Sequence, residues 1–261
     1  MLLDEVLADL WAESAELDRL VGGLAADEWR RLTPAEGWTI AHQVAHLAWT
    51  DEAAQLAVTD PDAFKESLEY AAAHAATYVD DGAAETAALP ADQLLAYWRE
   101  TRAELAEALK KVPAGEKVLW YGPPMSPVSM ATARLMETWA HGQDVFDALG
   151  VERQPSNRLR HIAHLAVRTR GFAYALNNRT PPTDEVRVEL TGPDGDVWVW
   201  GPEDATQRVT APAVDFCLLA TQRRHRDDLA IQASPEAEEW LGIIQAFAGL
   251  PGKGRTAGQF G

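Results

Sequence analysis

Apolar residues recur at helical spacing through the first two-thirds of the chain, and this periodicity constrains the fold more than any other feature. In residues 2–24 the pattern includes Leu3, Val6, Leu7 and Leu10, as on the buried face of an amphipathic helix. Four or five long helices with short connections favour an antiparallel bundle. Further helical segments are predicted at residues 39–58, 61–79, 91–112, 134–150 and 156–178.

The period changes after residue 180. "EVRVEL" and "DVWVW" alternate apolar and polar residues, and the intervening "TGPDG" has the composition of a hairpin turn. "QRVTA" is a third candidate strand, and two helical segments follow it. The sequence therefore predicts a mainly α protein with a C-terminal α+β part: a helical bundle over residues 1–180, a small α+β domain over 181–250 and a loose tail over 251–261.

Charge and composition limit the partners. Forty acidic against 23 basic residues give a net charge of −17, which disfavours nucleic acid and anionic membranes. No apolar run reaches the roughly 18 residues of a membrane span, and the first residues lack a signal-peptide pattern. We expect a cytoplasmic monomer or homodimer that acts on a small molecule.

The single cysteine, Cys217, excludes an intrachain disulfide and a CxxC motif. It lies in an apolar helical segment, where a buried structural role is expected. A metal in this chain must then be held by histidine and carboxylate, and any thiol chemistry requires a thiol from outside the protein.

The segment "RLMETWAHGQDVFDALG", residues 134–150, carries ionisable groups on an otherwise apolar helix. At about 100° per residue, Arg134, Glu137, His141 and Asp144 share a stripe about 80° wide. Apolar residues cover most of the remaining surface, so the stripe is predicted to be buried. Buried ionisable groups need partners or a metal.

An earlier segment, "GWTIAHQVAHLAW", places His42 and His46 one helical turn apart. Glu137 and His141 can ligate one ion, and a histidine from a neighbouring helix would complete a set of two histidines and a glutamate with an open coordination position. Spacing alone leaves a second interpretation open, in which Arg134 pairs with Glu137 and His141 pairs with Asp144.

These two segments resemble the DinB-like metal-binding bundle of the mycothiol-dependent maleylpyruvate isomerase family. The order of a bundle and a small α+β domain is also similar, so the resemblance extends over nearly the whole chain. It implies a divalent ion, of the zinc type, held by His46, Glu137 and His141. His46 is preferred to His42 because it directly precedes Leu-Ala-Trp. Mycothiol, or a similar low-molecular-weight thiol, is the implied cosubstrate.

Four other residues are assigned supporting roles, each with an alternative. Asp144 could accept a hydrogen bond from a ligating histidine or form an ordinary ion pair. His42 could line the site or be a capped core residue. The resemblance implies a carboxylate-binding arginine in the C-terminal domain, for which Arg223 and Arg224 are candidates, although both could equally compensate a helix C-terminus.

The implied function is a metal-dependent enzyme that uses a thiol for isomerisation or S-transfer on a small, anionic substrate. Two alternatives remain at this level. One is a thiol-independent metal hydrolase or a biosynthetic isomerase or cyclase. The other is a binding module without turnover, since fold alone does not give function.

Overall fold

The computed structural model describes residues 2–249 and 252–260. Its contacts divide the chain into two compact units, Met1–Glu152 and Arg153–Gly261. In the described residues no helix combines the length and the apolar character needed to cross a membrane. The predicted mainly helical fold with a small C-terminal sheet is confirmed.

In its described residues the first unit contains six α-helices. Helix α2 packs against α5 and α6, and α1 packs against α6, which forms a four-helix bundle. Helices α3 and α4 connect α2 to α5, and α4 lies along α2. The bounds are α1 (Leu3–Val21), α2 (Ile40–Thr59), α3 (Pro61–Ala73), α4 (Tyr78–Ala87), α5 (Ala91–Lys110) and α6 (Pro127–Leu149).

Local sequence signals explain where the helices begin and end. The side chain of Thr39 caps α2 by accepting from the backbone N–H of His42. Asp60 and Ser126 cap α3 and α6 in the same way, each followed by a proline at the first helical position. Gly150 ends α6 in the left-handed conformation at φ 66°, which glycine adopts without steric cost.

The core of the bundle lies around α2. Leu47 of α2 and Trp98 of α5 are completely buried in it, as is Leu17 of α1. Polar side chains of α2 are buried as well, among them Gln43, His46, Thr50 and Asp51. A buried polar group needs a hydrogen-bond partner. These side chains therefore indicate where polar contacts lie inside the bundle.

Over residues 153–249 and 252–260 the second unit combines four α-helices with a four-stranded sheet. The sheet order is β2-β1-β3-β4, with β1 antiparallel to β2, parallel to β3, and β3 antiparallel to β4. The predicted hairpin is present, and Gly195 takes a φ of 86° in its turn. The elements are α7 (Leu159–Arg168), α8 (Arg170–Leu176), β1 (Val186–Thr191), β2 (Val197–Trp200), β3 (Gln207–Pro212), α9 (Ala213–Ala220), β4 (Gln232–Ala233) and α10 (Pro235–Leu241).

The division between the units falls earlier than the boundary predicted at residue 180. Helix α7 packs against α9, so the segment that follows α6 groups with the sheet rather than with the bundle. The single helix predicted over 156–178 is interrupted at Thr169, and the one over 61–79 is interrupted before Tyr78. The two-residue strand β4 was not predicted.

The predicted loose tail has fixed contacts where it is described. The backbone N–H of Gly252 donates to Gln222 Oε1 at 3.1 Å, and that of Gly258 donates to the carboxylate of Asp228 at 2.9 Å. Residues 251 and 261 of the predicted tail lie outside the described residues.

Candidate metal centre

His46, Glu137 and His141 converge between α2 and α6. Each offers one ligand atom, and the three atoms lie within 4.8 Å of one another. Glu137 Oε2 is 3.2 Å from His141 Nε2 and 4.0 Å from His46 Nε2. The two imidazole rings are 4.5 Å apart between centroids. The structure therefore brings together the three residues that the sequence singled out as ligands.

A buried ion pair joins the same two helices beside this cluster. Arg134 of α6 donates from Nε to Asp51 Oδ1 at 2.8 Å and from Nη2 to Thr50 Oγ1 at 2.6 Å, both on α2. Arg134 thus lies one turn from Glu137 but does not pair with it. The alternative interpretation of an Arg134–Glu137 ion pair is wrong. The Arg134 guanidinium contacts α2, and the Glu137 carboxylate faces the two histidines.

The second ring nitrogen of His141 contacts a residue that sequence reasoning missed. His141 Nδ1 lies 2.6 Å from Oε1 of Gln43, which is completely buried. Gln43 Nε2 donates to Thr33 Oγ1 at 2.8 Å, and that hydroxyl donates to the carbonyl of Trp38 at 2.9 Å. A buried glutamine three residues before His46 in an apolar helix was the available signal. One partner, Thr33, lies in the loop before α2, and the other, His141, lies on α6, so periodicity could not identify them.

Two aromatic residues flank the cluster. The Trp38 ring centroid is 5.4 Å from that of His46 and 5.8 Å from that of His141, and the Trp49 ring is 5.9 Å from His46. Trp38 Nε1 donates to Asp80 Oδ1 of α4 at 2.9 Å, which holds the indole in place. Helix α4 also approaches Trp49 at Gly82, where an added Cβ would lie 2.9 Å from the ring.

His42 lies outside the cluster. Its Nδ1 is 2.8 Å from Thr39 Oγ1, so the side chain takes part in capping α2. Partial burial lowers the pKa of His42, and the charge of Asp80 opposes that effect. Of the two histidines that share one face of α2, His46 is therefore the one that meets Glu137 and His141.

Asp144 is completely buried on α6. Nδ1 of His141 contacts Gln43. The role of Asp144 as a hydrogen-bond acceptor that orients a ligating histidine stays a prediction.

The donor set suits one divalent ion. Two imidazole nitrogens and one carboxylate oxygen are the ligands of many open zinc sites, with metal–ligand bonds of about 2.0–2.2 Å. A tetrahedral arrangement of such bonds separates neighbouring ligand atoms by about 3.3–3.5 Å. The 3.2 Å and 4.0 Å separations lie on either side of this range, so the cluster could hold an ion after small side-chain adjustments.

The C-terminal candidates are located at the end of α9. Arg223 Nη1 donates to the carbonyl of Thr221 at 2.6 Å, and the Arg224 guanidinium lies 3.8 Å from the centroid of the Phe260 ring. Cys217 of α9 is fully buried, and burial raises the pKa of its thiol. The cysteine therefore has the environment of a structural residue, as predicted.

Residues 10–146, more than half of the chain, match the family described as "Mycothiol maleylpyruvate isomerase N-terminal domain". The chain belongs to this family. The match contains all three residues of the cluster, and it confirms the resemblance seen in the sequence. A shorter segment, residues 182–233, matches the family described as "Wyosine base formation".

The same fold is present in a crystal structure of the mycothiol-dependent maleylpyruvate isomerase, with a TM-score of 0.58 and 18% identity over 90% of this chain and 93% of that one. A mutant of that isomerase matches with a TM-score of 0.57 and the same identity and coverage. Among sequence relatives, uncharacterized proteins from two strains of Mycobacterium tuberculosis are 59% identical over 250 residues, which is 95% of this chain and 97% of each relative.

Proposed function

We propose that this protein is a metal-dependent enzyme that uses a low-molecular-weight thiol, of the mycothiol type, for isomerisation or S-transfer on a small anionic molecule. The observation that carries the proposal is the convergence of His46, Glu137 and His141 within 4.8 Å. Three protein ligands leave a coordination position open, which is the arrangement of catalytic rather than structural zinc sites. Membership of a family named for a mycothiol-dependent isomerase supports the choice of cosubstrate.

A bound divalent ion would supply an open coordination position at which a thiol sulfur is stabilised as the thiolate near neutral pH. The protein's own groups supply the surroundings. Trp38 and Trp49 place aromatic rings on either side of His46. Cys217 is a poor candidate for the nucleophile, since its thiol is buried and its pKa is raised. The attacking sulfur would therefore come from the cosubstrate.

The proposed isomerisation needs no redox partner. The thiolate forms a C–S bond to one carbon of a conjugated double bond, and the electron pair of that π bond moves onto the conjugated carbonyl oxygen. The remaining single bond can rotate. Return of the electron pair re-forms the double bond and expels the thiolate, which leaves the thiol unchanged overall. Arg223 and Arg224 are the proposed partners of a substrate carboxylate, because a guanidinium matches a carboxylate in two hydrogen bonds.

Cobalt substitution tests the thiol step. Cobalt-loaded protein titrated with mycothiol or a close analogue should develop a sulfur-to-metal charge-transfer band, because the thiol occupies the open position. Binding should release a proton and persist at pH values well below the usual thiol pKa of about 8.5.

Cys217→Ser is the matched control, and the band should be unchanged in it. Metal analysis of the purified protein with and without added thiol should accompany the titration. An unchanged cobalt spectrum with thiol, together with displacement of bound water by another small molecule, would favour the hydrolase or the ligand-binding alternative instead.

A further inference from the structure

Gln43 occupies a position that packing alone does not explain. Its side chain is completely buried in α2, one turn before His46, where an apolar residue would avoid the cost of burying an amide. Both ends of the amide are used. Oε1 is 2.6 Å from His141 Nδ1, and Nε2 is 2.8 Å from Thr33 Oγ1. The amide therefore connects a candidate metal ligand to the loop that precedes α2.

The donor and the acceptor of each hydrogen bond in this chain can be assigned by starting from the carbonyl of Trp38. The Trp38 carbonyl can only accept, and the Thr33 hydroxyl donates to it at 2.9 Å. With its proton used there, Thr33 Oγ1 accepts from the amide nitrogen of Gln43. The amide oxygen then faces His141, and since a carbonyl oxygen only accepts, the ring nitrogen opposite it must donate. Nδ1 of His141 consequently carries a proton.

We propose that Gln43, oriented by Thr33, is a positioning residue that keeps a proton on Nδ1 of His141, so that Nε2, which faces Glu137, is the nitrogen used for metal ligation. This inference rests on the metal centre proposed above. It assigns Gln43 and Thr33 a function although neither is among the three candidate ligands.

The opposite amide orientation shows why Thr33 matters. If the Gln43 amide turned over, its nitrogen would donate to Nδ1, and the proton would move to Nε2. Nε2–H would then donate to Glu137 Oε2, which is 3.2 Å away. An ion could enter only after displacing that proton. The hydroxyl of Thr33 favours the orientation that keeps the ligand nitrogen available, and outer partners of this kind typically contribute 10–100-fold to metal affinity.

The test compares four single variants of the full chain with the wild type: Gln43→Leu, Gln43→Glu, Thr33→Val and Thr33→Ser. Zinc affinity is measured by competition with a chelator. Gln43→Leu should weaken zinc binding by about 10–100-fold, and Thr33→Val should weaken it by a smaller factor. Gln43→Glu keeps an acceptor opposite Nδ1, and Thr33→Ser keeps the hydroxyl, so both should bind zinc nearly as the wild type does.

A second measurement reports the proton position directly. Histidine ¹⁵N NMR of the metal-free protein, at a pH well above the ordinary histidine pKa of about 6.5, should show His141 with its proton on Nδ1 in the wild type and in Thr33→Ser. In Thr33→Val a mixture of the two tautomers is expected. If Gln43→Leu fails to fold, the Val and Ser variants of Thr33 carry the comparison.

Wild-type zinc affinity in Thr33→Val, or a His141 ring that carries a proton on Nε2 and none on Nδ1 in the metal-free wild type, would overturn the inference. A different result would separate it from the proposed function. If the wild type shows the expected tautomer but binds neither zinc nor cobalt, the metal-dependent enzyme is excluded while the role of Gln43 in setting the tautomer stands.

Discussion

At the scale of single residues, the three candidate ligands make a direct prediction. Alanine at His46, Glu137 or His141 should reduce zinc affinity by more than the roughly 10–100-fold expected for loss of an outer partner, because each removes one of three protein ligands. His74→Ala is a suitable control, since this histidine is exposed and stacks on Tyr70. The measurement is bound metal per chain after dialysis against a chelator.

His42→Ala separates the two histidines of α2. We expect it to retain zinc, because the structure uses His42 at the helix cap and His46 in the cluster. Loss of metal in His42→Ala with retention in His46→Ala would contradict the assignment. Full occupancy in all three ligand variants would contradict the site itself.

Sequence reasoning could identify these ligands but not the residues around them. A spacing of four places Glu137 and His141 on one helical face whatever the fold. Spacing could not choose between His42 and His46, which lie on the same face, and the family resemblance made that choice. Gln43 and Thr33 depend on how a loop folds against α2, which local periodicity does not encode.

At the scale of helices, α1 is joined to α5 by a cluster of ion pairs that predicts a pH-dependent stability. Asp18 accepts from Arg99 Nε at 2.9 Å and Nη2 at 2.6 Å, and from Arg102 Nη2 at 2.6 Å. The hydrogen bonds from Arg99, and then the one from Arg102, lower the pKa of Asp18, although burial opposes them. A lowered pKa in the folded state stabilises the protein above the unfolded pKa of about 3.9.

Asp18→Asn should therefore lower the free energy of unfolding by about 1–2 kcal/mol at neutral pH. The difference from the wild type should shrink as the pH falls below about 4 and the wild-type carboxylate is protonated. Urea unfolding at several pH values measures it. Asp62→Asn is the control, because Asp62 pairs with Lys65 on an exposed part of α3. Removal of this ion pair should leave the urea midpoint of unfolding unchanged. A pH-independent difference would show that Asp18 acts through packing rather than through its charge.

The helices themselves were largely predictable, whereas their interruptions were not. Caps such as Thr39 and Asp60 are visible in the sequence and begin α2 and α3 as expected. The breaks at residues 74–77 and at Thr169 carry no glycine or proline. The hydroxyl of Thr169 lies 2.9 Å from the carbonyl oxygen of Leu165 and 3.1 Å from that of Gln245. The second of these is a tertiary contact, which a local pattern cannot contain.

At the scale of the whole molecule, all the groups of the candidate metal centre belong to the first unit. A fragment of residues 1–152 should therefore fold and bind zinc with the affinity of the full chain. Circular dichroism and chelator competition would measure both properties, and the same fragment with Glu137→Ala is the control for specific binding. An unfolded fragment, or one that binds zinc much more weakly than the full chain, would contradict this division.

The change from helical to alternating periodicity correctly located the sheet. It placed the boundary at residue 180, whereas the two units divide after Glu152. Helices α7 and α8 have the same local pattern as the bundle helices. The contacts of α7 with α9 and with β2 assign the segment to the second unit. Periodicity reports the type of an element, and the partner on which an element packs depends on surfaces far away in the sequence.

The position of the candidate ligands on α2 and α6 has a consequence for folding. His46 and Glu137 are separated by about 90 residues, so a shared ion would act as a reversible crosslink that closes a long loop. The unfolded chain could not hold its ligands together in this way, and the binding free energy of the ion would therefore add to the folded state alone. The supply of metal in a cell would then influence how long each copy of the chain survives proteolysis, in addition to any effect on turnover.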